Sequence, residues 1–373
     1  MSMDPVELTQ RLVRIDTMNP PGGESAAARL LGEILAPAGY AVSYHEMAPG
    51  RAGLLAELPG SGERPPLVMT GHLDTVPLGG AAWSEDPLGG RIQGGRLYGR
   101  GTSDMKAGLA AMTTAALELA REPKRGAGLL LIFTAGEETG SEGAHQMAAS
   151  GALPTKAGAL LVAEPSGNRP FLGHKGALWL QASFRGKSAH GSMPDQGVNA
   201  IYKAARAAAN LEGLFNDFPP HPKLGRPTVN VGTFLGGTKI NMVPDLASFT
   251  VDLRTVPCQD HGRVEQQVRE LLGGDAEITR LTDAPGILTD EDDPWVRQVL
   301  GVMAGQGMST RPGYVNYFTD ACVLTAALGQ PPTMILGPGE AEMAHQTDEY
   351  CEVGKIGQAA ELYLAISRQW CLG

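Results

Sequence analysis

The sequence predicts an α/β fold, a mostly parallel sheet covered by helices, with a smaller α+β domain inserted into it. Three observations lead there. Continuous apolar runs at 66–70, 128–135, 159–163 and 333–336 alternate with helix-length segments, and strands that are apolar on both faces belong to parallel sheets with helices on either side. Between 175 and 285 the texture changes to alternating, half-buried strands and amphipathic helices. At 373 residues the chain is long for a single core, which favours two domains, here 1–174 with 286–373 and the inserted 175–285.

Taken in order, Asp4 before Pro5 predicts a capped first helix that turns Val6, Leu8, Leu12 and Val13 inward. Pro20-Pro21-Gly22-Gly23 ends that unit, a second helix spans 24–38, and strands follow at 40–45 and 53–58. The 66–70 strand runs into Gly71-His72-Leu73-Asp74-Thr75. Residues two apart on an extended chain point to the same side, so His72 and Asp74 are presented together at the edge of the sheet. A glycine-rich connection comes next, with a short hairpin expected between Arg91 and Tyr98. Asp104 stands just ahead of helix-forming residues 105–120 and, taken alone, reads as an N-cap.

The 128–135 strand enters Gly136-Glu137-Glu138, the 159–163 strand enters Glu164-Pro165, and the 333–336 strand leads through Gly337-Pro338-Gly339 to His345. Inside the insertion, 177–184, 228–234, 247–254 and 277–281 read as strands, and 197–214 and 259–272 as helices. The main fold resumes near Asp293-Pro294 and finishes in a helix over 357–370.

Composition narrows the function. A formal net charge of −10 opposes nucleic acid or an anionic membrane as partner, since both require a basic surface. No apolar run reaches membrane-spanning length and the first residues lack a signal peptide's basic start and apolar core, so a cytoplasmic location is expected. Cys258, Cys322, Cys351 and Cys371 form no C-x-x-C pair, which leaves little support for a thiolate metal site or a disulfide framework.

Ligands of such sheets collect beyond the carboxyl ends of the strands, so His72, Asp104, Glu137, Glu138, Glu164 and His345 are expected to converge on one rim. A set of imidazoles and carboxylates without thiolates suits zinc or another borderline first-row ion. His72, Asp104, Glu138, Glu164 and His345 fit a pair of sites in which one carboxylate is shared; such a pair acidifies water and polarises a carbonyl. Glu137 and Glu138 are adjacent on a loop and can face different ways, one onto a metal and the other towards water as general base. Asp74 is placed to act on His72, directly or through neighbouring groups. Each motif also has a plain reading: His-x-Asp as a turn, Glu137-Glu138 as a solvated acidic loop. Their recurrence at successive strand ends favours the metal.

The chain resembles the acetylornithine deacetylase / succinyl-diaminopimelate desuccinylase family of co-catalytic zinc hydrolases, with its carboxypeptidase G and aminoacylase relatives. The likeness runs through Gly71-His72-Leu73-Asp74-Thr75-Val76-Pro77, Gly99-Arg100-Gly101-Thr102-Ser103-Asp104-Met105-Lys106, Thr134-Ala135-Gly136-Glu137-Glu138, Glu164-Pro165 and Ala344-His345-Gln346-Thr347-Asp348-Glu349. The resemblance implies a zinc-exopeptidase-like catalytic domain at 1–174 and 286–373, and a lid and dimerisation domain at 175–285. It places His72 and Glu164 on one ion and Glu138 and His345 on the other, with Asp104 bridging, Glu137 as base and proton shuttle, and Asp74 behind the ligands. Two divalent ions are implied, zinc first, with cobalt or manganese as alternatives.

Gly186 to Ser192 is similar to the segment whose histidine, here His190, reaches across a dimer to stabilise an oxyanion. Two further segments resemble those that supply Asn241 and Arg254, the latter suited to a two-pronged grip on a substrate carboxylate. Alone, Arg254 reads as the ion-pair partner of Asp252 or Asp245. Tyr317 to Asp320 is expected to line the substrate pocket, with Thr319 and Asp320 as contacts, Asp320 reading equally well as an N-cap.

The activity implied is hydrolysis of the amide of an N-acyl amino acid or related small carboxylate, in amino acid metabolism, by a cytoplasmic homodimer. The alternatives are a carboxypeptidase or dipeptidase with the same metal pair, and a catalytically silent binding protein on this fold, which the presence of Glu137 and every ligand opposes. A two-metal phosphoryl-transfer enzyme is opposed by the lack of a P-loop.

Overall fold

The computed structural model of the chain describes residues 3–373. The chain forms two compact units. One runs to Gly173 and takes in Leu288–Gly313 and Thr319–Gly373; the other comprises His174–Ile287 and Tyr314–Phe318. The short return over Tyr314–Phe318 carries no compositional signal and lies outside the insertion as drawn from the sequence.

In the first unit the middle of the large sheet is parallel, in the order Leu129–Thr134, Leu67–His72, Ala159–Val162 and Thr333–Ile335. Arg51–Leu58 and Ala41–Ala48 extend it antiparallel on one side, and Phe171–His174 joins antiparallel on the other. Every residue of the four parallel strands is buried, as their unbroken apolar runs require. Parallel strands end at the same edge, so His72, the Glu137-Glu138 turn, Glu164 and the loop towards His345 leave the sheet together.

Helices Ala107–Ala120 and Val353–Leu372 pack on each other and on Pro5–Val13. Asp4 caps Pro5–Val13 as expected, its Oδ1 accepting from the Val6 N–H at 2.9 Å. Gly71 lets the Ala107–Ala120 helix press against its strand: a Cβ there would stand 2.5 Å from the Met105 methyl and 2.8 Å from Leu109 Cδ2.

Several boundaries differ from the sequence expectation. The helix expected over 105–120 begins at Ala107, because Thr102–Lys106 forms a wider turn in which Asp104 (φ −121°, ψ 93°) is not helical. The last helix starts at Val353 rather than near 357, its glycines outweighed by a buried face of Ile356, Ala359, Leu362, Tyr363 and Ile366. Tyr350–Glu352, too short to signal in sequence, pairs with Arg96–Tyr98 in a small separate sheet.

The second unit is an antiparallel sheet in the order Thr228–Gly236, Leu246–Thr255, Gly176–Arg185, Ala276–Ala284. Helices Ala200–Leu211 and His261–Leu272 pack on it over a core that includes Leu178, Leu180, Phe184, Phe249, Val264 and Val268. Asn199 and Asp260 set where these helices begin, capping the N–H groups of Tyr202 at 3.2 Å and Arg263 at 2.9 Å. Thr228–Gly236 is the sheet's edge and is mostly exposed.

Candidate metal centre

His72 closes its strand with the imidazole fully enclosed, Nε2 standing 3.0 Å from Asp104 Oδ1 and 3.8 Å from Glu164 Oε1. His345 approaches from the far loop, its Nε2 3.0 Å from Glu138 Oε1 and 3.5 Å from Asp104 Oδ2. Two donor triads result, His72–Asp104–Glu164 and Asp104–Glu138–His345, each with its ligand atoms within 4.8 Å of one another. Asp104 belongs to both and turns one oxygen to each histidine. The donors are imidazole nitrogens and carboxylate oxygens at spacings one cation can span, which fits a pair of zinc-like divalent ions. The enclosed triad sits around His72, while the His345 side chain is half exposed.

His72 Nδ1 lies 2.9 Å from the main-chain carbonyl oxygen of Asp74, whose carboxylate Oδ1 is further off at 3.6 Å. A carbonyl only accepts, so Nδ1 carries a proton, and Nε2 is the ring atom turned towards Asp104 and Glu164, the one free to hold a cation there. The Asp74 carboxylate serves a different partner. It accepts the N–H groups of Gly136 at 3.0 Å, Glu137 at 3.1 Å and Glu138 at 3.2 Å, and the side-chain amide of Asn19 at 3.0 Å. Asp74 therefore sets the orientation of the Glu137-Glu138 turn, and His72 meets its main-chain oxygen rather than its carboxylate. Asn19 is missing from the sequence reading; Asn before two prolines signals only a rigid turn. Asp104 is not an N-cap: the helix behind it has no side-chain cap, and its carboxylate faces the histidines.

The electrostatics follow from packing acids together out of water. Burial, and then the Glu164 carboxylate, push the Glu137 carboxyl well above its ordinary range, with His72 opposing. Burial and Asp104 do the same to Glu164. Glu138 is raised by burial, against the hydrogen bond from His345. For Asp104 burial acts upward, but the bonds with His345 and His72 prevail and hold it well below the usual carboxylate range. Burial would lower His72, yet Glu164 and Asp104 carry it well above the usual imidazole value. Hydrogen bonds with Asp104 and Glu138 push His345 up to about 10. The cluster thus favours positive charge between its donors.

Thr319 and Asp320 are both enclosed. The Thr319 hydroxyl accepts the Ala321 N–H at 3.2 Å, and Asp320 Oδ2 accepts the Thr134 hydroxyl without capping its helix, so neither side chain faces solvent. In the second unit His190 and Asn241 are neighbours, the Gly191 N–H donating to the Asn241 carbonyl at 2.8 Å. The Ser192 N–H donates to His190 Nδ1 at 3.2 Å, so the neutral ring carries its proton on Nε2. Arg254 pairs with Asp252 at 2.9 Å through Nε, and Asp252 also accepts the Trp179 indole N–H at 2.9 Å. The ion-pair reading of Arg254 is thus present in the geometry, with a quarter of the side chain still exposed.

The description peptidase family M20/M25/M40 matches residues 68–369. A probable succinyl-diaminopimelate desuccinylase of Staphylococcus epidermidis is 29% identical, over 93% of this chain and 93% of that protein. Acetylornithine deacetylase of Proteus mirabilis is 30% identical, over 98% and 97%. Among solved structures, a tripeptidase from Staphylococcus aureus matches with a TM-score of 0.76 at 25% identity, over 99% of each chain. An M20 family metallo-carboxypeptidase from Sulfolobus solfataricus, at 18% identity and a TM-score of 0.81 over 99% of each chain, shares the fold.

Proposed function

The chain belongs to the peptidase family M20/M25/M40, and from that premise we propose that it is a dinuclear metallohydrolase that removes the acyl group of N-acyl amino acids. The observation that carries this reading is the sharing of Asp104 between two donor triads, with Glu137 buried beside them. The curated relatives named for desuccinylation and deacetylation favour acyl transfer to water over peptide cleavage.

His72, Asp104, Glu164, Glu138 and His345 would hold the ions. A bound pair would polarise the amide carbonyl and lower the pKa of water. Glu137 takes the water's proton on a carboxylate oxygen and returns it to the leaving nitrogen, a shuttle that suits a buried carboxyl held above its usual range. Asp74 keeps that carboxylate in place through the main chain. His190 offers Nε2–H to the oxygen on which negative charge develops, Asn241 adds a second polar contact, and Arg254, paired with Asp252, grips the substrate carboxylate. Thr319 and Asp320 support the rim from behind.

The working form is a homodimer through the second unit. Its edge strand Thr228–Gly236 and the exposed Tyr202, Phe234, Leu235, Ile240, Met242 and Leu246 offer an apolar surface with a free strand edge. Among the described residues no helix is long and apolar enough to cross a membrane, and the free thiols favour the cytoplasm.

The test is a panel of N-acetyl amino acids, N-succinyl amino acids and dipeptides with zinc, cobalt or manganese added. Release of acetate or succinate that stops on chelation and returns with metal is the expected result. Amino acids released from dipeptides alone would replace it with a peptidase, the second reading, which the likeness to a tripeptidase supports. Bound metal with no turnover of any amide would leave a binding protein.

A further inference from the structure

Behind the donors lies a buried ion pair that the metal-centre reading does not use. We propose that Arg100 and Glu349 are positioning residues that set where Asp104 stands between the two histidines, and so govern how tightly both ions are held. The proposal rests on the dinuclear reading given above.

Both side chains are enclosed, 2% and 1% exposed. Glu349 Oε1 accepts the N–H groups of Ser103 at 2.8 Å and Asp104 at 3.0 Å, and its Oε2 accepts the Gly101 N–H at 2.8 Å and Arg100 Nη1 at 2.7 Å. Arg100 donates onward, through Nη1 to the Gln346 carbonyl at 3.2 Å and through Nη2 to the Pro77 carbonyl at 3.1 Å. Gln346 follows His345, and Pro77 lies in the turn that leaves His72. One guanidinium–carboxylate contact therefore ties together the chain segments that bear His72, Asp104 and His345. The Glu349 main chain adds a further hold, accepting the Gly99 N–H at 2.9 Å.

The turn needs such an acceptor. The N–H groups of Gly101, Ser103 and Asp104 lie ahead of the Ala107–Ala120 helix, where the non-helical backbone of Asp104 breaks the regular ladder that would otherwise pair them. A carboxylate with two oxygens takes these three N–H groups and still receives a guanidinium. Glutamine at 349 offers one acceptor oxygen, so whichever way the amide turns, two donors meet an NH₂ group. The turn must then rotate, and Asp104 with it. Because Asp104 serves both triads, both ions feel the change.

The experiment is a Co²⁺ titration of the metal-free protein, read by calorimetry and by visible absorption. For Glu349→Gln we expect both affinities to fall roughly tenfold to a hundredfold, the loss typical of partners that orient ligands. The absorption band should shift as the ligand field changes, and kcat for the best amide of the panel should fall with KM unchanged. Arg100→Lys keeps a cation beside Glu349 but loses the fork to Gln346 and Pro77; it should weaken binding in the same direction, by less. Wild-type binding of two Co²⁺ ions with both variants matching its affinities and spectrum would overturn the proposal alone. A wild-type protein that binds no Co²⁺ would remove the dinuclear reading and this with it. Should circular dichroism find Glu349→Gln unfolded, Arg100→Lys decides by the same titration.

Discussion

Asp74 collects three consecutive main-chain N–H groups and the Asn19 amide, while the neighbouring His72 turns to the Asp74 carbonyl. Those bonds fix the turn that carries Glu137 and Glu138. Their division of labour then depends on side-chain direction alone: Glu138 meets His345, and Glu137 does not. Glu137→Gln should therefore keep both ions, measured by elemental analysis, and lose about 10²–10⁴-fold in turnover; near wild-type turnover would dismiss the base. A second residue offers a pH test. Burial lowers His174 to about 4, below the ordinary imidazole value, and its Nδ1 faces the Lys175 carbonyl at 2.8 Å. The unfolded chain binds this proton more readily than the folded one, so stability is complete above the unfolded pKa and declines as pH falls towards the folded value. Urea unfolding should show about 2 kcal/mol lost from this group between about pH 8 and about pH 5, and His174→Gln should flatten that slope. His72, Glu138 and Glu164 are legible in sequence because each stands at the end of an apolar strand, whereas Asn19 and Glu349 act through contacts that no local pattern announces.

At the scale of elements, loops meet backbone to backbone around the donors. A Cβ on Gly339 would lie 2.1 Å from the Ser103 carbonyl oxygen and 2.7 Å from Ser103 Cα; one on Gly337 would lie 2.2 Å from the Ala163 carbonyl oxygen. Main chain cannot yield as a flexible side chain can. Gly339→Ala should push the Ser103-Asp104 turn away from the loop that leads to His345, costing about 1–3 kcal/mol, as overpacking does. It should also reduce the metal retained after dialysis, so a melting temperature and ion content equal to wild type would refute it. The strands were readable at this scale because their burial follows from an unbroken apolar run. The Thr102–Lys106 turn was not: its residues lead into a stretch of strong helix formers, and the acceptor that shapes it lies 245 positions away.

At the scale of the whole molecule, the Thr228–Gly236 edge of the second unit's sheet is the surface we assign to a second copy. Leu235 and Ile240 are among its most exposed apolar side chains. Leu235→Lys with Ile240→Asp should convert a dimer into a species of the 39.1 kDa chain mass in sedimentation equilibrium, with both ions retained. A wild-type protein that sediments as a monomer would remove the assignment.

Local sequence carries the α/β class and the histidines and acids at the strand ends. Those depend on local periodicity, and a parallel sheet delivers the ends of its strands to one edge whatever else the chain does. The three-dimensional fold alone shows that each Asp104 oxygen faces its own histidine, that Asp74 holds a turn through main-chain amides, and that Glu349 reaches three N–H groups across the chain. These are matters of direction and of angstroms between residues far apart in the chain, and they are settled by packing, which no single stretch of sequence contains.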